Sequence, residues 1–198
     1  MIVLVSILGA MPVHAGARSA ADRSSLVITD AGTPEQRKVA LRIAFRPGGA
    51  DAAGVLVAMW NDLLTDTVCW RLPGGLWHAP PPPPHQNVRW SYRDPTLSAG
   101  PVLKVVTSNL PSFTLTATGK NPLQPLQFSL DEPSQQGITV QVFESNPFQT
   151  NPVRVRYVPT AAHPGTDKPG HFRAKLFEEL DPYSPVPFPC SASGAFLD

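Results

Sequence analysis

The chain has 198 residues, a formal net charge of +1 and only 16% charged residues. That length suits one sizeable domain or two small ones, and an apolar fraction of 42% places it among globular rather than disordered chains. The near-neutral balance gives no reason to expect nucleic acid or an anionic surface as partner, and 24 prolines with 14 glycines imply short elements and many loops.

The first residues, MIVLVSILGAMPVHA, form a short uncharged apolar run, and Val13-His14-Ala15 fits the small-x-small pattern of a signal-peptidase site. This reads as a secretory signal over residues 1–15, although no Lys or Arg precedes the run; the alternative is a buried N-terminal strand. The run is too short to span a membrane, and no other segment reaches the roughly 18 apolar residues a spanning helix needs. Residues 16–35 are expected to be a flexible segment, followed by one β domain over 36–181 and a Pro-rich tail over 182–198.

Strand signals then follow in order. Ser25-Leu-Val-Ile-Thr29 is a candidate, and Lys38 to Phe45 alternates, with Val39, Leu41, Ile43 and Phe45 on one face and Lys38 and Arg42 on the other. Val55 to Trp60 reads as a buried strand and Thr67 to Arg71 as another. Val88 to Tyr92 and Val102 to Thr107 follow. Phe113, Leu115 and Ala117 alternate with Thr114, Thr116 and Thr118, the pattern of a half-exposed strand. Leu126 to Leu130, Ile138 to Phe143, Val153 to Tyr157 and His171 to Leu176 complete the set; in the third of these both Arg154 and Arg156 are expected to face out. Helical periodicity is almost absent, with room for single turns at 174–180 and near Asp62 to Thr67. Strands at this spacing with turn chemistry between them predict an all-β fold, an antiparallel β-sandwich of about 8–10 strands.

Between the Cys69 and Trp90 strands lies the proline run Pro80 to Pro84. It predicts a left-handed polyproline II segment, read as a stiff crossover rather than a docking motif, since no basic residue flanks it closely. Only Cys69 and Cys190 occur. In an exported chain they are expected to pair, closing a loop for which the chain-entropy model gives about 4–5 kcal/mol; the alternative is that Cys69 is a small buried hydrophobe.

No Gly-x-Ser-x-Gly elbow and no His-Glu-x-x-His pair is present, and no serine sits in an activating context. His78, His85, His163 and His171 lack the spacing that places two metal ligands on one face, and Asn61, Asp62 and Asp66 read as turn and cap residues rather than a calcium loop. No cofactor or metal is expected. All four tryptophans, Trp60, Trp70, Trp77 and Trp90, fall within 60–90. Trp60 and Trp70 lie in apolar strands and belong to the core. Trp77, Trp90 and Tyr92 are the candidate ligand-binding residues, as a platform for sugar rings, with burial at one end of the sheet as the alternative.

The order Trp90-Ser-Tyr-Arg-Asp94, Gly100-Pro101, Phe128-Ser-Leu130, Pro133-Ser-Gln-Gln-Gly-Ile-Thr-Val140, Arg154-Val-Arg-Tyr157 and Gly170-His-Phe-Arg-Ala-Lys175 resembles a β-rich module of uncharacterised exported bacterial proteins. The resemblance spans residues 36–190 and implies a β fold, without an assigned activity or functional residues. Where that module is expected to carry cysteines, this chain has Val102 and Val158. Taken together, the residues predict a secreted, periplasmic or cell-surface β module without catalysis, binding a carbohydrate or cell-envelope ligand. The alternatives are a protein-interaction or structural surface module and, third, an exported hydrolase.

Overall fold

The computed structural model describes residues 24–44, 54–79, 90–108, 112–121, 123–144 and 153–180. The proposed signal peptide, the proline run, Phe45, His85, the C-terminal tail and Cys190 lie outside the described residues. Twelve strands are described: β1 (Ser25–Thr29), β2 (Lys38–Ile43), β3 (Val55–Asn61), β4 (Thr67–Leu72), β5 (Trp77–His78), β6 (Ser91–Arg93), β7 (Val102–Ser108), β8 (Ser112–Thr118), β9 (Ile138–Glu144), β10 (Val153–Tyr157), β11 (Thr166–Lys168) and β12 (His171–Leu180). They pair antiparallel in the order β4-β3-β9-β10-β12-β1-β2-β8-β7-β6-β5, with β11 added beside β12. The all-β antiparallel expectation holds, and the ladder runs through one strongly curled, half-barrel sheet.

The alternating side chains explain the curl. Along β2 the residues alternate exposed and buried, placing Val39, Leu41 and Ile43 inward and Lys38, Ala40 and Arg42 outward. Leu26 and Ile28 of β1, Phe113, Leu115 and Ala117 of β8, and Phe172 and Ala174 of β12 do the same from neighbouring strands. They share one buried cluster with Val57 and Met59 of β3, Trp70 of β4, Val140 of β9 and Tyr157 of β10. A flat sheet would leave these inner faces wet; curling removes them from water together, at about 25 cal/mol per Å² of apolar surface. Strand β12 makes the bend possible. Its first half pairs with β1 and its second half with β10, and the β10 ladder carries a register shift at Arg156/Tyr157, between Leu176 and Glu178 of β12, just past the point where the partner changes.

The two ends of the path, β4 and β5, are adjacent in sequence. Only Pro73 and the 3₁₀ turn Gly74–Leu76 separate them. The Trp77 indole N–H donates to the Leu72 carbonyl at 3.4 Å, tying the last strand back to the first.

Four local expectations need correction. Residues 126–130 alternate as expected, with Leu126, Phe128 and Leu130 buried, but they join no ladder. Side chains satisfy their backbone instead, as described below. Residues 174–180 continue β12 as strand rather than turning helical, because β10 pairs with Leu176 to Leu180. Arg154 is buried rather than facing solvent; its guanidinium donates to Gln141 Oε1 at 3.1 and 3.2 Å and stands 5.9 Å from the Trp60 ring centroid. Finally, the sheet begins before residue 36, since β1 pairs on both sides, with β2 and β12.

Candidate functional site

Six of the described acidic side chains, Asp30, Asp62, Asp66, Asp94, Glu132 and Asp167, are held by partners elsewhere in the fold. Asp30 accepts from the Gly32 and Leu130 N–H groups and forms a 2.9 Å ion pair with Arg37 Nε, and Arg37 Nη1 donates to the Leu126 and Gln127 carbonyls. The 126–130 segment, too irregular for a ladder, is thereby held across one end of the curled sheet. Asp66 accepts from the Ser129 N–H and hydroxyl, and Asp62 pairs with Arg156. Asp167 accepts from the Ser134 hydroxyl and the Gln135 N–H. Glu132 accepts from the Thr65 hydroxyl and from Gln135 Nε2. Burial pushes the Asp66 carboxyl above its ordinary value, against the Ser129 hydrogen bonds, with the Glu132 charge adding to the rise. At Glu132 burial is the largest single influence and raises the pKa, but the donors from Thr65 and Gln135 with the remaining hydrogen bonds outweigh it, and the net shift is downward.

The basic side chains behave differently. On the outer face of β11-β12-β1-β2-β8-β7-β6-β5, the ladder register defines three cross-strand rows. One runs Ser91, Val106, Thr114, Arg42, Ser25, Lys175. The next runs Arg93, Lys104, Thr116, Ala40, Val27, Arg173, Thr166, and the third Thr118, Lys38, Thr29, His171, Lys168. Strands are about 4.8 Å apart and outward residues along a strand about 6.7 Å apart, so these groups form a grid. Lys38, Arg42, Arg93, Lys104, Lys168, Arg173 and Lys175 are all exposed on it. No Asp or Glu occupies an outward position of these rows among the described residues, and none of the seven has an ion-pair partner among them. The net charge of +1 therefore conceals segregation: the sum by itself gave no reason to expect an anionic partner, while these basic groups share one face. Neighbouring charges sit within about one Debye length at physiological salt, so their fields add.

Two grooves lie on this face and meet at Val27. The first, of 500 Å³, is lined by Ser24, Ser25, Arg42, Pro164, His171, Arg173 and Lys175 among others. The second, of 760 Å³, lies across β1, β2, β8 and β7, bounded by Pro95 to Leu97, Leu103 and Lys120. The 95–97 segment is held in place from behind. Asp94 is 1% exposed and accepts from the Thr96 hydroxyl at 3.0 Å, the Ser98 hydroxyl at 3.3 Å and the Ala99 N–H at 2.7 Å. Burial raises its pKa, but the Ala99 and Ser98 N–H groups and the two hydroxyls together pull it below the ordinary value and keep the carboxylate charged. Leu97 takes a left-handed φ of 55° and its carbonyl accepts from Asn121 Nδ2.

The three aromatic candidates fall elsewhere. Trp77 and Tyr92 face each other across the β5–β6 pair, with ring centroids 5.6 Å apart. Tyr92 is 1% exposed, so it is a core residue and presents no face to a ligand; burial pushes its phenol well above the ordinary value, with the Asp94 charge as a second cause. Trp77 is half-buried against the core, and Trp90 is half-buried with its carbonyl accepting from Thr107. Cys69 is half-buried on β4, packed on Ala58 and Trp60. Among the described residues no group of three His, Cys, Asp or Glu side chains is placed to hold a metal ion, and no helix is long and apolar enough to cross a membrane.

These features define an all-β protein with a curled antiparallel sheet, an acid-rich network built into one end and a basic, hydroxyl-bearing outer face. No family model, curated protein or solved structure matches the chain. The basic face was half legible beforehand: the alternations Lys38/Arg42, His171/Arg173/Lys175 and Thr114/Thr116/Thr118 mark outward positions. That β12, β1, β2 and β8 are consecutive neighbours is visible only in the ladder.

Proposed function

We propose that the protein is an exported, non-catalytic β module that binds a carbohydrate or cell-envelope ligand through its basic outer face. The observation that supports this reading is the acid-free grid of seven lysines and arginines, without ion-pair partners among the described residues. A self-repelling face of one sign is costly to keep without a partner that neutralises it, and it attracts anions from solution. Export rests on the apolar leader ending at Ala15, and the same compartment favours a Cys69–Cys190 disulfide. Thiol titration of the unfolded, unreduced chain should find no free thiol; two would refute the bond.

The test of function is retention of the full chain on an immobilised anionic polysaccharide against a neutral one. Binding to the anionic matrix should weaken steeply between 50 and 300 mM salt (roughly, for several released counterions) and fall at least about tenfold in Arg42→Glu/Arg173→Glu, since 1.4 kcal/mol is a factor of ten. Equal retention on both matrices, or retention unchanged by charge reversal, would overturn the reading.

A further inference from the structure

Resting on that reading, we infer that the 760 Å³ groove across β1, β2, β8 and β7 seats an anionic sugar unit of an acidic polysaccharide. The carrying observation is the chemistry of the lining: cations, hydroxyls and an apolar wall share one groove, and no acidic side chain is among the residues that line it.

That lining says what kind of ligand. Thr29, Thr116 and Thr118 supply hydroxyls, and Lys38 and Lys120 supply two cations. Lys38 stands beside both Thr118 and Thr29 in one cross-strand row. Facing them are the apolar Pro95, Leu97 and Leu103, the last 37% exposed. A sugar ring has a hydroxyl-bearing edge and an apolar C–H face, and an acidic sugar adds a carboxylate or sulfate; the groove offers a complement to each. A small inorganic anion would leave the apolar wall uncovered. Among the described residues no Phe, Tyr or Trp occupies an outward position of the three rows, so these rows offer neither the Phe, Tyr and Trp stacking platforms of single-stranded nucleic-acid sites nor the Trp and Phe anchors of interfacial membrane binding. The 500 Å³ groove continues past Val27 toward Arg42, Arg173 and Lys175, which suits a polymer carrying a charge on successive units. The wall at 95–97, held by Asp94 and Asn121, is in place before a ligand arrives, and such preorganisation favours affinity.

Isothermal titration of the full chain would use an oligouronate, a sulfated oligosaccharide, a neutral oligoglucan, duplex DNA and vesicles containing phosphatidylglycerol. Saturable binding is expected for the oligouronate or the sulfated chain and not for the neutral one. Lys38→Gln and Lys120→Gln should each weaken it about tenfold or more, and Lys38→Arg should retain it. Both lysines are exposed, so neither variant disturbs the core. Wild-type affinity in both Lys38→Gln and Lys120→Gln overturns the groove assignment. DNA or vesicle binding without oligosaccharide binding overturns it while leaving the anionic-ligand face standing. Absence of binding to every polyanion overturns both.

Discussion

Replacing Asp30 by Ala removes the group on which the 126–130 segment depends. Its carboxylate is 3% exposed and meets Arg37 at 2.9 Å, where the Arg37 side chain is 12% exposed. It also accepts the Leu130 N–H from a segment that has no ladder of its own. The substitution leaves a nearly buried guanidinium without its counter-ion and a buried N–H without its acceptor. Breaking a buried pair on one side costs about 3–5 kcal/mol, a large share of the 5–15 kcal/mol (roughly) that holds an ordinary domain. Urea unfolding should show a midpoint lowered by about 1–2 M at an m value of about 2–3 kcal/mol/M. Removing both partners, as Asp30→Leu/Arg37→Met, should recover part of the loss, because the cost lies in the uncompensated charge rather than in the absent attraction. A loss below about 1 kcal/mol in Asp30→Ala, with a coupling energy below about 0.5 kcal/mol in the cycle, would refute the assignment of the pair as the clamp on this segment.

The Asp66 carboxyl is raised above its unfolded value of 3.8, so the folded state holds its proton longer and stability falls as pH rises from that value through the folded one. Glu132 is lowered below its unfolded value of 4.5, and its contribution is present above that value and lost as pH falls through the folded one. Asp66→Asn should therefore flatten the upper part of the acid-range stability curve and Glu132→Gln the lower part, by denaturation midpoints read from pH 3 to 7; identical curves for both variants and wild type would contradict this assignment. The Tyr157 hydroxyl, on a fully buried ring, donates to the Arg42 carbonyl at 3.0 Å and links β10 to β2 across the core. Tyr157→Phe should cost about 1 kcal/mol and lower Tm by about 2–4 °C, measured by calorimetry; an unchanged Tm would mean that the bond contributes nothing net.

Much of the fold was legible in the chain itself. A period-two alternation needs only the two-sidedness of a pleated strand, so Lys38–Ile43, Ser112–Thr118 and Ile138–Glu144 declared themselves by local composition. The same alternation over-assigned Leu126 to Leu130. Burial of every second side chain is a property of the segment, whereas ladder pairing needs a neighbouring strand, and Asp30, Arg37 and Asp66 take that neighbour's place. Tyr92 looked like a surface aromatic because its short strand carries almost no pattern; its inward direction follows from pairing with Val105 and Trp77. Charge was the least legible feature. A net value of +1 sums over the chain without regard to place. Composition determined that strands would form and that one side of each would be wet. Only the tertiary structure decided that the wet sides of β12, β1, β2, β8 and β7 lie together, because strand neighbours are set by long-range pairing and by the curl that buries their inner faces.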